Sequence, residues 1–131
     1  MMSKFHLSEN SLSRLEGVHP DLVKVVKRAI ELTTVDFGVT EGLRTMAEER
    51  KAVASGHSQT MHSRHLDGHA VDLMGYENGH GSWHWPLYVE ISKAMHRAAD
   101  EFGVPIEWGG DWLTLKDGAH FQLPWKEYPS R

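Results

Sequence analysis

The sequence predicts an α+β fold in a single domain, with a small antiparallel sheet flanked by helices. Three features carry that reading. Two segments place apolar residues at helical spacing, several short β-leaning segments are set apart by glycines and prolines, and the two kinds interleave without the regular βαβ period of a doubly wound sheet. The 131 residues suffice for one real core and are too few for two comfortable ones, so residues 1–131 are read as one unit.

Residues 8–16 can start a short helix, with Ser and Asn available as caps and Gly17 to end it. Pro20 suits a first helical turn and Asp21 its positive dipole end. Leu22, Val25, Val26, Ala29, Ile30 and Leu32 then recur at helical spacing, while Lys24, Lys27, Arg28 and Glu31 take the wet side, which predicts an amphipathic helix over 20–33. Phe37 to Leu43 leans toward strand although Gly38 and Gly42 weaken it. Residues 46–54 are strong helix formers that stop at Ser55-Gly56. The polar, His-rich stretch 56–68 reads as loop, 69–74 as a strand of mixed polarity, and 75–84, with three glycines and an asparagine, as a turn-rich connection. After Pro86, residues 87–102 set Leu87, Ile91, Ala94, Met95, Ala98 and Phe102 on one side of a second good helix, capped by Gly103. Residues 106–108 and 120–123 are candidate short strands around a Gly/Asp loop. No internal repeat or low-complexity segment is present.

Composition narrows the functional classes. Hydrophobic residues at 40% and charged residues at 24% are ordinary globular values. No apolar run reaches the roughly 20 residues of a membrane helix, and the first ten residues lack the apolar stretch of a secretory signal. A net charge of -4 argues against tight nucleic-acid binding. With no cysteine, disulfides, thiolate zinc sites and a thiol nucleophile are all excluded, and no Gly-x-Ser-x-Gly elbow offers a serine instead. The ten histidines stand out, four of them between 57 and 69. His with Asp or Glu is the strong transition-metal ligand set available here.

The chemistry concentrates in Ser63-Arg64-His65-Leu66-Asp67-Gly68-His69-Ala70-Val71-Asp72 and Asp117-Gly118-Ala119-His120. Catalytic zinc commonly takes three protein ligands and leaves the fourth position to water. His65 can end a loop that Gly68 turns tightly, Asp72 can point from the following strand into the same cleft, and His120 can close the set from a neighbouring strand. Asp117, three residues before His120, is where a general base for that water is wanted. Arg44 is the cation expected at the developing oxyanion.

A rival metal reading puts His65 and His69 on one helical face. Gly68 between them costs a helix about 1 kcal/mol relative to Ala, and position 66 is Leu where a carboxylate is expected. Blander roles stand beside each assignment. Asp117 could be a turn-former and Arg44 a surface ion-pair partner. Ser63 could orient a ligand or merely sit in a loop, and Asp111 could do the same or form a turn. Trp108 and Trp112 fit core or cleft wall, and His57, His62, His80 and His84 fit solvent or loop hydrogen bonds.

The pattern Ser-x-His-x-x-Gly-x-Ala-x-Asp over 63–72, Trp-Gly-Gly-Asp-Trp over 108–112 and Asp-x-x-His-Phe over 117–121 resembles the LAS metallopeptidases. Within them the chain is similar to the phage endolysins and bacterial L-alanyl-D-glutamate peptidases related to VanY-type D-alanyl-D-alanine carboxypeptidases. Residues 17–22 and Gly42-Leu43-Arg44-Thr45 also look like that branch. The resemblance implies a Hedgehog/DD-peptidase-like fold, a Zn2+ site of His65, Asp72 and His120, Asp117 as base and Arg44 as a substrate or transition-state contact. It implies cleavage of the L-Ala–D-Glu bond in peptidoglycan stem peptides. Asp rather than Glu at 117 leans toward the endopeptidase side of the group, while Glu41 and Leu43 depart from its usual small and aromatic residues. The expectation is a monomer with no separate cell-wall-binding domain, no nucleic-acid partner and no membrane insertion. It would be held in the host cytoplasm and act on the wall, in the periplasm, after release. A D-alanyl-D-alanine carboxypeptidase and a non-catalytic zinc-dependent module that docks on wall peptides are the alternatives.

Overall fold

The computed structural model describes residues 4–56, 63–114 and 116–129. Four helices and five strands order the described residues: α1 (Glu9–Arg14), α2 (Pro20–Leu32), β1 (Phe37–Glu41), α3 (Met46–Ala54), β2 (Ala70–Glu77), β3 (His80–Ser82), α4 (Trp85–Phe102), β4 (Glu107–Trp108) and β5 (His120–Gln122). The sheet runs β1-β2-β5-β4, every pairing antiparallel, and β3 pairs with the far end of β2. The expected α+β architecture of a small antiparallel sheet with flanking helices is what forms.

Helix α2 starts as its sequence dictates. The His19 side chain accepts the Asp21 amide at the N-terminus, Pro20 occupies the first turn, and Leu22, Val25, Val26, Ala29 and Ile30 are buried. Helix α4 buries Leu87, Tyr88, Ile91, Ala94, Met95, Ala98 and Ala99, and ends at Gly103 in the left-handed conformation. The two helices pack on each other and on one face of the sheet, where Val71 and Leu73 of β2 and Phe121 of β5 join them in a single core. Because side chains alternate along a strand, Asp72 points to the face opposite Val71 and Leu73, and His120 and Gln122 to the face opposite Phe121. One face of the sheet is thus committed to the core, and the other carries Asp72, His120 and Gln122.

Helix α3 is held differently. Thr45 and Glu48 form a reciprocal capping box, and the helix buries Glu49, a carboxylate, rather than an apolar stripe. One boundary departs from the sequence expectation. The segment 75–84 is not a connection: β2 continues to Glu77 and turns back through Asn78-Gly79, both at positive φ, into β3. Such a two-residue turn matches the twist of paired strands, which is why polar, glycine-rich residues end up in a ladder.

Candidate metal centre and active site

Register brings the first two site residues together. β2 and β5 pair with Asp72 opposite His120, and directly paired residues on one face hold their side chains within contact distance. His65 arrives from a 3-10 turn, Arg64–Asp67, that enters through Ser63, whose hydroxyl accepts the His65 amide at 3.1 Å. The turn leaves through Gly68 at φ 72, where a side chain would also strike the Gly17 carbonyl. The β1–α3 connection grips the same turn from both ends: the Arg44 amide donates to the His65 carbonyl at 2.9 Å, and His65 Nδ1 meets the Gly42 carbonyl at 2.8 Å.

Each imidazole therefore has one nitrogen committed to a carbonyl oxygen. His65 Nδ1 is paired with Gly42, and His120 Nε2 with the side-chain oxygen of Gln122 at 2.8 Å. A carbonyl can only accept, so these nitrogens carry the ring protons and the other nitrogens, His65 Nε2 and His120 Nδ1, are left facing Asp72 Oδ1, each at 3.3 Å. Two nitrogen lone pairs and a carboxylate oxygen aimed at one another repel unless something positive lies among them. A proton or a metal ion can fill that place. Burial disfavours the His120 cation, yet the Asp72 carboxylate outweighs burial and raises the His120 pKa. Burial likewise would lift Asp72, and the two imidazoles outweigh it and hold Asp72 well below the ordinary carboxylate range.

A metal ion can replace that proton. Four ligands at about 2.0–2.1 Å around a tetrahedral ion lie about 3.3–3.4 Å apart, which is the spacing of the two His–Asp edges here. The three ligand atoms lie within 4.8 Å of one another, and among the described residues this is the group of His and carboxylates that could hold a metal. The donor set and its committed outer nitrogens fit a divalent transition metal. His69 takes no part: the 3-10 turn and Gly68 break the helical face the rival reading needs, and the His69 ring packs edge-on against His19 and Tyr128 instead.

Asp117 stands close enough to the trio for their charges to act on it. Its pKa is raised, first by desolvation, although the residue is partly open to water, then by the Asp72 anion, with His120 and His65 opposing. Its Oδ1 accepts the Ala119 amide at 3.2 Å, so the turn-forming role and a place beside the metal group coexist. The Trp-Gly-Gly-Asp-Trp run is what fixes it. The Asp117 amide donates to the Gly109 carbonyl at 3.0 Å, and a Cβ at Gly109 would come 2.4 Å from the Asp117 carbonyl. Trp108 Nε1 donates to the Gly118 carbonyl at 2.8 Å. Trp112 packs on the His120 ring, whereas Asp111 is exposed in a 3-10 turn.

Arg44 is buried, its Nε 2.7 Å from Glu41 and its Nη1 2.5 Å from Glu49, and these carboxylates, Glu41 first, raise its pKa. His80 and His84 are exposed, with His84 3.5 Å from Glu77; His57 and His62 lie outside the described residues. Sequence reasoning missed Gln122 and the Gly42 carbonyl, whose roles appear only once strands and turns are paired. It also missed Trp85, whose ring packs against Gly118 beside Asp117.

This arrangement has relatives. The chain is 35% identical over 117 residues to the L-alanyl-D-glutamate peptidase of Escherichia phage T5, covering 86% of this chain and 85% of that one. It is 27% identical to the peptidoglycan L-alanyl-D-glutamate endopeptidase CwlK of Bacillus subtilis strain 168, over 88% of this chain and 81% of the relative. Its fold matches the crystal structure of the Serratia marcescens L-Ala D-Glu endopeptidase ChiX with a TM-score of 0.90 and 49% identity, covering 97% and 96% of the two chains. The family model for phage L-alanyl-D-glutamate peptidases matches residues 2–122, and the chain belongs to that family.

Proposed function

We propose that this chain is a zinc-dependent endopeptidase that hydrolyses the L-Ala–D-Glu bond of peptidoglycan stem peptides. The observation that carries the proposal is the convergence of His65 Nε2 and His120 Nδ1 on Asp72 Oδ1, each at 3.3 Å, with both outer ring nitrogens held by carbonyl oxygens. When bound, a zinc ion would supply an acidified water and polarise the scissile carbonyl. Three protein ligands leave the open corner that a hydrolytic site needs and a closed structural site lacks.

The protein's own groups do the rest. Asp117 takes the proton as water attacks and returns it to the departing amine of D-Glu. Its place beside the trio suits a group that must hold a proton between the two steps. Ser63, Gly42 and Gln122 fix the rings so that no reorientation accompanies the reaction. For Arg44 the contacts favour positioning over the oxyanion contact expected from sequence: its guanidinium is engaged by Glu41 and Glu49 while its amide holds the His65 turn. The reading includes a monomeric catalytic unit that works on the cell wall after release from the host cytoplasm. No described helix is long and apolar enough to cross a membrane.

Digestion of purified peptidoglycan with and without a chelator, followed by mass spectrometry, tests the proposal. New D-Glu amino termini that vanish with the chelator are expected; free D-Ala would mean a carboxypeptidase, and intact wall a binding module. Asp117→Asn is expected to retain stoichiometric zinc and lose about 10²–10⁴ in kcat.

A further inference from the structure

We propose that the aromatic pocket beside Asp117 is a subsite for the amino-sugar ring that carries the stem peptide, so that the enzyme prefers L-Ala still joined to N-acetylmuramic acid. The inference rests on the peptidase reading and deepens it. Trp83, Trp85, Tyr88, Lys116, Asp117 and Gly118 line a cavity of about 190 Å³. That is below the ~300–1,000 Å³ of pockets that enclose a drug-sized ligand, and it suits one ring-sized group rather than a run of peptide.

The pocket is built, not incidental. Trp83 is 71% exposed, yet its ring is stacked on Tyr88 at 5.8 Å and 15°. Tyr88 is itself buried and fixed, accepting the Gly75 amide at 3.1 Å and donating to the Ser82 carbonyl at 2.7 Å. A large indole face is thus held out in water on a rigid support, Tyr88, that is itself anchored in the core. Trp85 stacks on Trp108 at 5.6 Å and 25°, and a Cβ at Gly118 would come 2.9 Å from its ring. The aromatic wall is therefore laid directly on the backbone of the residue that follows the proposed base.

Substrate connectivity chooses the occupant. The scissile bond must reach Asp117, and in peptidoglycan the nitrogen of L-Ala is acylated by the lactyl ether of the sugar. L-Ala and the lactyl group, each about one residue long, together span at most about 7 Å, so the sugar lands in the space adjoining the base. The opposite side of the bond carries the carboxylates and ammonium group of D-Glu and the diamino acid, which call for several charged partners. This pocket offers one cation, Lys116, among aromatic rings that match the C–H face of a pyranose and an acetyl methyl.

The test compares two substrates with the same stem peptide, one carrying N-acetylmuramic acid on L-Ala and one carrying a plain N-acetyl cap. Zinc-loaded wild type is expected to show kcat/KM about tenfold higher for the muramyl substrate. In Trp83→Ala that ratio is expected to fall toward 1, and in Trp83→Phe, which keeps a ring, to recover most of its value. A wild-type ratio near 1, or an unchanged ratio in Trp83→Ala and Trp85→Ala, overturns the subsite and leaves the peptidase reading standing. Cleavage of neither substrate by wild type overturns both.

Discussion

At the residue scale, the geometry of the candidate ligands is set by the groups behind them. Gln122 Oε1, 2.8 Å from His120 Nε2, fixes the ring proton there and leaves Nδ1 facing Asp72. Gln122→Leu is therefore expected to weaken metal affinity by about 10–100-fold, measured by competition with a chromogenic chelator. The same experiment on Ser63→Ala should show a smaller loss, because the hydroxyl acts on the His65 amide and the Gly42 carbonyl still holds the ring. The three candidate ligands are legible in the amino-acid sequence, because a metal site needs particular side chains and His65, Asp72 and His120 sit in a specific motif. The outer partners are not. A backbone carbonyl at Gly42 has no sequence signature, and Gln122 becomes meaningful only when β5 places it on the face of His120.

At the element scale, helices are easier to read than strands. The 3.6-residue period of α2 and α4 reports burial on one side and is visible in a single segment. The second half of β2 and all of β3 are polar and glycine-rich, so no alternation marks them; the Asn78-Gly79 pair is the one available sign of a hairpin. Helix α3 is legible from propensity, but its purpose is not. It presents Glu49 to Arg44 in a fully buried ion pair, and the Arg44 backbone in turn holds the His65 turn. Glu49→Ala removes one of two counter-charges from a buried guanidinium and is expected to cost about 3 kcal/mol in urea unfolding. If Arg44 acts by positioning, the same variant should also lower kcat with little change in KM. A rise in KM alone would return Arg44 to a direct substrate contact.

At the scale of the whole molecule, the segment after β5 is drawn back across the start of the chain. Arg64, 2% exposed, donates to the carbonyls of Leu123, Pro124 and Tyr128, pairs with Asp67 at 3.0 Å and stacks on Trp125 at 4.0 Å. Because Arg64 precedes the candidate ligand His65, this closing segment and the candidate metal site share one support. Tyr128 completes the closure by donating to Asp21 of α2 at 2.7 Å. That bond makes stability depend on pH with a definite sign. The Tyr128 hydrogen bond lowers the Asp21 pKa below its ordinary value, so its stabilisation is present above about pH 4 and is lost as pH falls through the lowered value. Burial first, then Asp21, pushes the Tyr128 phenol up to about 12, so the contribution persists below about pH 10 and is lost as pH rises through about 12. Tyr128→Phe is thus expected to melt below wild type between about pH 4 and pH 10, by at most about 1 kcal/mol because the pair is only half-buried. The two melting curves should converge at both extremes. Thermal unfolding of both proteins across that range checks it, and a gap that stays constant from acid to alkaline pH would mean that packing of the ring, not the hydrogen bond, closes the chain.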